Sequence, residues 1–232
     1  MTRFPILMYH NICELPSQST GLTTSYDKLE AQFQFLVSQG YTSLHFRDIQ
    51  KLKSSDQYPK KPIIITFDDV YVNQYKFAYP LLKKYNLKAC FYVPFSYVGG
   101  TDSWNNGSEP IMSVSQLKEL DPAVVELGLH SFEHRPYNSL SLELIQEDFK
   151  KCHDFISKNE LNVCNVLAYP YGNFPRKEPF KSLFFETLKN QNIAYGLRIG
   201  NRLNRLPIKN NYELNRLDIK GDDSLFKFKA LI

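Results

Sequence analysis

The sequence predicts an α/β fold, a distorted (β/α) barrel of about seven to eight parallel strands. Three observations lead there. Strand-like and helix-like segments alternate along the chain with no linker or compositional break between them. The stretch Ile63-Ile64-Ile65-Thr66-Phe67 is mostly apolar without alternation, as in a strand buried on both faces. His10, Asp68, Asp69, His130 and the turn Pro170-Tyr171-Gly172 each follow such a strand, and a barrel collects strand ends on one face. A chain of 232 residues can bury a sizeable core, and we expect residues 1–232 to form a single domain.

The elements follow in order. Phe4 to Tyr9 reads as a short buried strand, and Pro16 and Gly21 mark a loop. Leu29, Phe33, Leu36 and Val37 have helical spacing, stopped by Gly40. Tyr41 to Phe46 is a strand candidate, with a short helix through Ile49 and Leu52. Pro62 opens the Ile-rich strand, which ends at Asp68; Ala78 to Tyr85 reads as a helix and Lys88 to Val93 as a strand. Residues 96–110 form a Gly-, Ser- and Asn-rich loop around the only tryptophan, Trp104, which suits either a substrate-binding loop or a ring tucked into the surface. Ser113-Val114-Ser115-Gln116 is a capping-box pattern before a helix through Leu120. Val125 to Leu129 is the next strand, and Leu142, Ile145, Phe149, Cys152 and Ile156 line one face of the clearest helix. A strand from Val163 to Tyr169, a helix from Phe180 to Leu188 and strands at Ile193–Leu197 and Tyr212–Ile219 complete the series.

Composition narrows the function. An apolar fraction of 43% and an aromatic fraction of 14% are globular values. The net charge of +4 is spread over mixed signs, which argues against a nucleic-acid partner. No segment reaches the length of a membrane span, and the first ten residues hold no apolar run of signal-peptide length, so the expected location is cytoplasmic. Cys13, Cys90, Cys152 and Cys164 show no C-x-x-C pairing and read most simply as reduced core thiols.

Asp68 and Asp69 are the electrostatic oddity. Two adjacent carboxylates at a buried strand end need a metal ion, an arginine or a shifted pKa, unless one caps a helix and the other faces water. His130 and His134 stand four apart; on a helical turn both imidazoles would face one metal ion, although the spacing alone is common. With a carboxylate from another strand they would make a two-histidine, one-carboxylate site with an open position, suited to zinc. His45, inside a strand candidate, and His153, beside an apolar helix face, are set aside as structural or solvent-facing.

Thr66-Phe67-Asp68-Asp69 resembles the T-F-D-D-G signature of the polysaccharide deacetylases, the NodB-homology carbohydrate esterases. His130-Ser131-Phe132-Glu133-His134 is similar to their H-[ST]-x-x-H motif, and Tyr169-Pro170-Tyr171-Gly172 to the end of their R-x-P-Y-G motif. The three occur in family order across residues 66–172. The resemblance implies a metal-dependent hydrolase that removes N-acetyl groups from an N-acetylated sugar, in an oligosaccharide or a lipid-linked glycan. It implies Asp68 as general base toward the attacking water, and Asp69, His130 and His134 as ligands of one divalent metal, zinc first, with cobalt, nickel or iron as alternatives. The backbone N–H of Tyr171 would hold the oxyanion, with Trp104, Tyr169 and Pro170 near the substrate. The family's usual C-terminal histidine is absent, but Leu7-Met8-Tyr9-His10 is an L-x-H motif on the first strand. That arrangement resembles the circularly permuted branch containing the poly-N-acetylglucosamine deacetylases and makes His10 the general acid. Ala168 stands where the family has arginine; Arg216 is the expected substitute, ahead of Arg205. Val70 stands where the family has glycine, which puts a β-branched residue in a turn that can require positive φ. Two other functions stay open: hydrolysis of another C–N bond, such as that of a cyclic amide, and a glycan-binding homologue without catalysis.

Overall fold

The two-residue period of each strand decides which residues reach the barrel interior and which meet the helices. In the computed structural model, which describes residues 2–52 and 57–232, the chain opens with β1 (Thr2–Phe4) and β2 (Ile6–Tyr9). Pro5, with no N–H to donate, separates them. Then come β3 (Asn11–Cys13), β4 (Thr23–Ser25), α1 (Tyr26–Ser38), β5 (Thr42–Ser43), α2 (Phe46–Lys51) and β6 (Pro62–Asp68). A π-type turn over Gln74–Ala78 leads into α3 (Tyr79–Lys84), followed by β7 (Ala89–Val93), α4 (Val114–Glu119) and β8 (Val125–Leu129). The remainder is α5 (Leu142–Lys158), β9 (Val163–Ala168), α6 (Phe180–Asn190), β10 (Tyr195–Ile199), β11 (Asn204–Leu206), β12 (Leu214–Asp218) and α7 (Leu225–Leu231).

Strands β2, β12, β10, β9, β8, β7 and β6 are hydrogen-bonded in that order, all parallel, and β6 returns to pair with β2. The result is a closed seven-stranded barrel, with β5 added outside β6. The predicted barrel is therefore what the chain forms. On β6, Ile63, Ile65 and Phe67 belong to the large core beneath the helices, while Ile64 belongs to a second cluster inside the barrel. By the two-residue period of a strand, Thr66 and Asp68 share the inner side with Ile64. The same parity puts Cys90 and Tyr92 of β7 and Val166 and Ala168 of β9 inside.

Most expected elements are present, with shifted ends. Helix α1 buries Leu29, Phe33 and Leu36, but Val37 is on the exposed side. The capping box at Ser113 and Gln116 is complete. The strand expected at Tyr41–Phe46 shrinks to two residues, because His45 already begins α2. Strands β3 and β4, a parallel pair flanking the expected loop, were not expected, nor were β11 and α7. Strand β11 is a three-residue antiparallel partner of β1. Helix α7 buries Phe228 but exposes Phe226, so it has no clean apolar stripe. Among the described residues no helix is long and apolar enough to cross a membrane.

Candidate active site

The C-terminal ends of the barrel strands surround an open cleft of about 690 Å³ that has Asp68, Asp69, His10, His130, His134 and Arg216 in its lining. Its floor is set by packing lower in the barrel. Gly128 on β8 lies against the Tyr92 ring, where an added Cβ would come within 2.5 Å of Tyr92 Cε1. The guanidinium of Arg216 rests over that same ring, 5.5 Å from its centroid.

Asp68 and Asp69 sit in different surroundings. Both Asp68 oxygens accept hydrogen bonds from Arg216, from Nη1 to Oδ1 and from Nη2 to Oδ2, the second at 2.8 Å. Both partners are almost fully buried. Burial pushes the Asp68 carboxyl up, but the charge of Arg216, helped by His130 and His10, overrides it and holds the group well below the usual carboxylate range. Asp69 leaves the strand with φ 76. Its Oδ1 is buried and without a well-formed hydrogen bond, although His134 Nε2 is 3.3 Å away and His130 Nε2 3.5 Å. Burial raises its pKa, while contact with His134 and the nearby His130 bring the net position below normal.

The histidines are oriented by their other nitrogens. His130 Nδ1–H donates to the Ala168 carbonyl at 2.7 Å, which leaves Nε2 bare toward the carboxylates. Burial lowers the His130 pKa to about 4, so its imidazole is neutral. His134 Nδ1 meets the Tyr171 hydroxyl at 3.2 Å, and its ring packs against Trp104 with centroids 4.6 Å apart. The two histidines do not share a helical turn, as the i, i+4 spacing suggested. Residues 130–134 form a loop in which Ser131 and His134 have φ 61 and 54, and those reversals aim both Nε2 atoms at Asp69. Asp69, His130 and His134 offer ligand atoms that all lie within 4.8 Å of one another, so the three could hold a metal ion. A bare buried carboxylate oxygen facing two imidazole nitrogens fits a divalent cation.

His10 ends β2, which lies between β12 and β6, and its Nε2 is 3.6 Å from Asp68 Oδ2. Tyr171 stands in the left-handed region (φ 58, ψ 14). The next residue, Gly172, has no room for a side chain, since a Cβ there would meet Ile199 N at 2.8 Å. Val70 has φ 47 and is fully buried, so the turn keeps the conformation a glycine would take, at a cost in strain. Arg205 lies on β11, with its side chain exposed, and takes no part.

Two expectations about the substrate wall are corrected. Tyr169 is fully buried among the helices, and its hydroxyl donates to the Tyr212 carbonyl at 2.9 Å. It follows the inward Ala168 by one residue and therefore points outward. Pro170 is likewise buried and does not line the cleft, whereas Trp104 does. Two supports went unread in the sequence. Gln74 Nε2 donates to the carbonyls of His10 and Asp68, tying two site strands together. Asp148 on α5 accepts from Phe132 N and from the Tyr137 hydroxyl, which anchors the loop between the two histidines. The signal for Asp148 was present: an acidic residue on the apolar face marked by Ile145, Phe149 and Cys152.

Comparison with known proteins agrees with this geometry. The family model described as polysaccharide deacetylase matches residues 55–180. A Bacillus subtilis protein named as a polysaccharide deacetylase is 28% identical over 173 residues, covering 74% of this chain and 58% of its own. The Staphylococcus epidermidis poly-β-1,6-N-acetyl-D-glucosamine N-deacetylase is 26% identical over 208 residues, covering 84% of this chain and 67% of its own. The chain thus spans 58% to 67% of the length of these relatives. Among solved structures, a Streptococcus pyogenes deacetylase in complex with acetate superposes with a TM-score of 0.81 at 23% identity, covering 99% of this chain and 98% of the other. On the strength of the family match over more than half its length, the chain belongs to the polysaccharide deacetylase family.

Proposed function

We propose that this protein is a metal-dependent hydrolase that removes N-acetyl groups from an N-acetylated sugar within a glycan. The observation that carries the reading is the division of labour between two neighbouring carboxylates. Asp68 is clamped by Arg216, while Asp69 presents a bare oxygen to His130 and His134. Asp69, His130 and His134 would hold the cation, for which zinc suits the nitrogen and oxygen donors best. When bound, that cation supplies Lewis acidity, lowering the pKa of a water and polarising the amide carbonyl.

The chain's own groups account for the remaining chemistry. Asp68 is ionised but weakly basic with two hydrogen bonds from Arg216, so it accepts a proton only from an acidified water. The left-handed turn at Tyr171, locked by Gly172 against Ile199, supports assigning the Tyr171 N–H to the developing oxyanion. The position of His10 beside Asp68 supports assigning it to protonate the leaving amine, which an amide requires. The sequence of events is a direct attack by water, with release of acetate and a free amine.

An open cleft of about 690 Å³ suits a substrate longer than one small ring, which favours a glycan over a cyclic amide. The two departures that favoured a non-catalytic homologue lose weight. Arg216 supplies the guanidinium that Ala168 does not, and Val70 adopts the left-handed turn. The sequence similarity to poly-β-1,6-N-acetyl-D-glucosamine N-deacetylases makes β-1,6-linked N-acetylglucosamine oligomers the first substrate to assay. The test is acetate release from those oligomers by protein loaded with Zn²⁺, Co²⁺ or Ni²⁺. Absence of acetate with all three ions, on these and other N-acetylated glycans, would overturn the proposal.

A further inference from the structure

The opposite end of the barrel holds a second cluster that the reaction does not use. Cys90 on β7 and Glu126 on β8 are register partners, and Cys164 lies near the start of β9. Their sulfur and carboxylate atoms all lie within 4.8 Å of one another. Glu126 is 5% exposed; its Oε1 accepts from Phe46 N at 2.6 Å, while its Oε2 is buried with no hydrogen-bond partner among the described residues. Four residue steps along the strand separate Glu126 from His130, about 13 Å at the usual strand rise, so this is not an extension of the cleft. We propose that Cys90, Glu126 and Cys164 form a second metal site, selective for a thiolate-binding divalent cation such as Zn²⁺.

The donor set is the main argument. Two thiolates and one carboxylate discriminate against Mg²⁺ and Ca²⁺, and three protein ligands leave the fourth position of a tetrahedral ion open. Binding displaces the protons of both thiols, and of Glu126 where it is protonated, into solvent. The excess negative charge is partly met by Arg47, close enough to pull the Glu126 pKa down. Cys164 is only half-buried, which gives an ion a way in.

The proposal does not depend on the deacetylase reading, and one spectroscopic experiment separates them. The protein is reduced, stripped with chelator and titrated with Co²⁺. Thiolate coordination gives an intense near-ultraviolet charge-transfer band, which the Asp69, His130 and His134 set, lacking sulfur, cannot produce. We expect the wild-type chain to develop that band and bind two ions. Cys164→Ser should lose the band and one ion yet keep its acetate-releasing activity, whereas His134→Ala should lose the other ion and keep the band. Absence of the band in the wild-type protein would overturn the proposal, a result that needs no variant to fold. A band that survives Cys164→Ser, or thiol counts showing a Cys90–Cys164 disulfide in place of metal binding, would do the same.

Discussion

Replacing Arg216 with methionine tests the clamp on Asp68 directly. The substitution keeps much of the side-chain volume and leaves the Asp68 carboxylate, 3% exposed, without its charged partner. Removing one member of a buried ion pair typically costs about 3–5 kcal/mol, because the survivor remains desolvated. For a chain of this length each kcal/mol shifts Tm by about 2–4 °C, so metal-free Arg216→Met should melt roughly 6–20 °C below wild type at pH 7. The sign of the pH dependence follows from the shifts. In the native protein the Asp68 pKa is depressed, so its contribution is present above the unfolded value of about 4 and is lost as pH falls toward the folded value. Without Arg216, burial becomes the dominant influence and the Asp68 pKa rises. The variant then accepts a proton at Asp68 more readily, and the Tm gap narrows as pH is lowered from 7 toward 4.

A double-mutant cycle isolates the pair. Asp68→Asn combined with Arg216→Met removes both charges, and the double variant should be more stable than the sum of the two single losses implies, by at least ~1 kcal/mol. Calorimetry or circular-dichroism melting of chelator-treated protein reads each quantity. If Arg216→Met loses less than about 1 kcal/mol, or if its deficit is the same at pH 4 and pH 7, Arg216 is not the group that keeps Asp68 ionised. In metal-loaded protein the same substitution should move the acid limb of kcat/KM to higher pH, since the base then needs a higher pH to ionise.

The other expectations concern single roles. Asp68→Asn should keep the cation at Asp69 but lose about 10²–10⁴-fold in kcat, measured as acetate release. His134→Ala should lose that cation, read by metal analysis after gel filtration, because one of three protein donors is gone. His10→Ala should keep the metal and lose about 10²–10⁴-fold in turnover; unchanged activity would remove His10 from the mechanism. At Val70 the usual order of small residues should reverse. Val70→Ala and Val70→Gly both give up buried side chain, but only glycine relieves a left-handed backbone worth about 1–2 kcal/mol of strain. Val70→Gly should therefore match or exceed Val70→Ala in Tm, and a clear deficit would mean the turn is not strained.

The readable parts of this molecule were those governed by short periods. Once Ile63 to Phe67 is a buried strand, Asp68 falls at its end, and the parity of the strand puts it inside the barrel. The same parity, applied to β9, would have turned Tyr169 outward, yet the motif around Pro170 and Tyr171 suggested otherwise. Loop geometry was not accessible in this way. Nothing in the local pattern requires left-handed backbone at Ser131 and His134, so a helical turn was the simpler reading of their spacing. Long-range support was legible only through the family resemblance. Arg216 was expected from the missing arginine at Ala168, not from any local pattern, since it lies 148 positions from Asp68 and only closure of β12 on β2, beside β6, brings them together. Gln74 acts on backbone carbonyls, which sequence motifs do not encode, whereas Asp148 was marked by its place on the apolar face of α5.

Counting charge at the strand ends explains why one arginine is not enough. Two buried carboxylates bring two negative charges, and Arg216 supplies one positive charge, directed by both hydrogen bonds to Asp68. His130 is kept neutral by burial and has its only ring N–H engaged by Ala168, so it offers Asp69 a lone pair rather than a proton. His134 meets Tyr171 through Nδ1, and its Nε2 faces Asp69 Oδ1 at 3.3 Å. The Asp69 oxygen and the two Nε2 atoms converge on one buried point. A proton on either Nε2 would use up a nitrogen aimed at the centre of the group. A divalent cation would be shared by all three and would leave Asp68, neutralised separately, free for the role of base proposed above. On that proposal the adjacent aspartates have separate counter-charges, one built into β12 and the other to be supplied from solution.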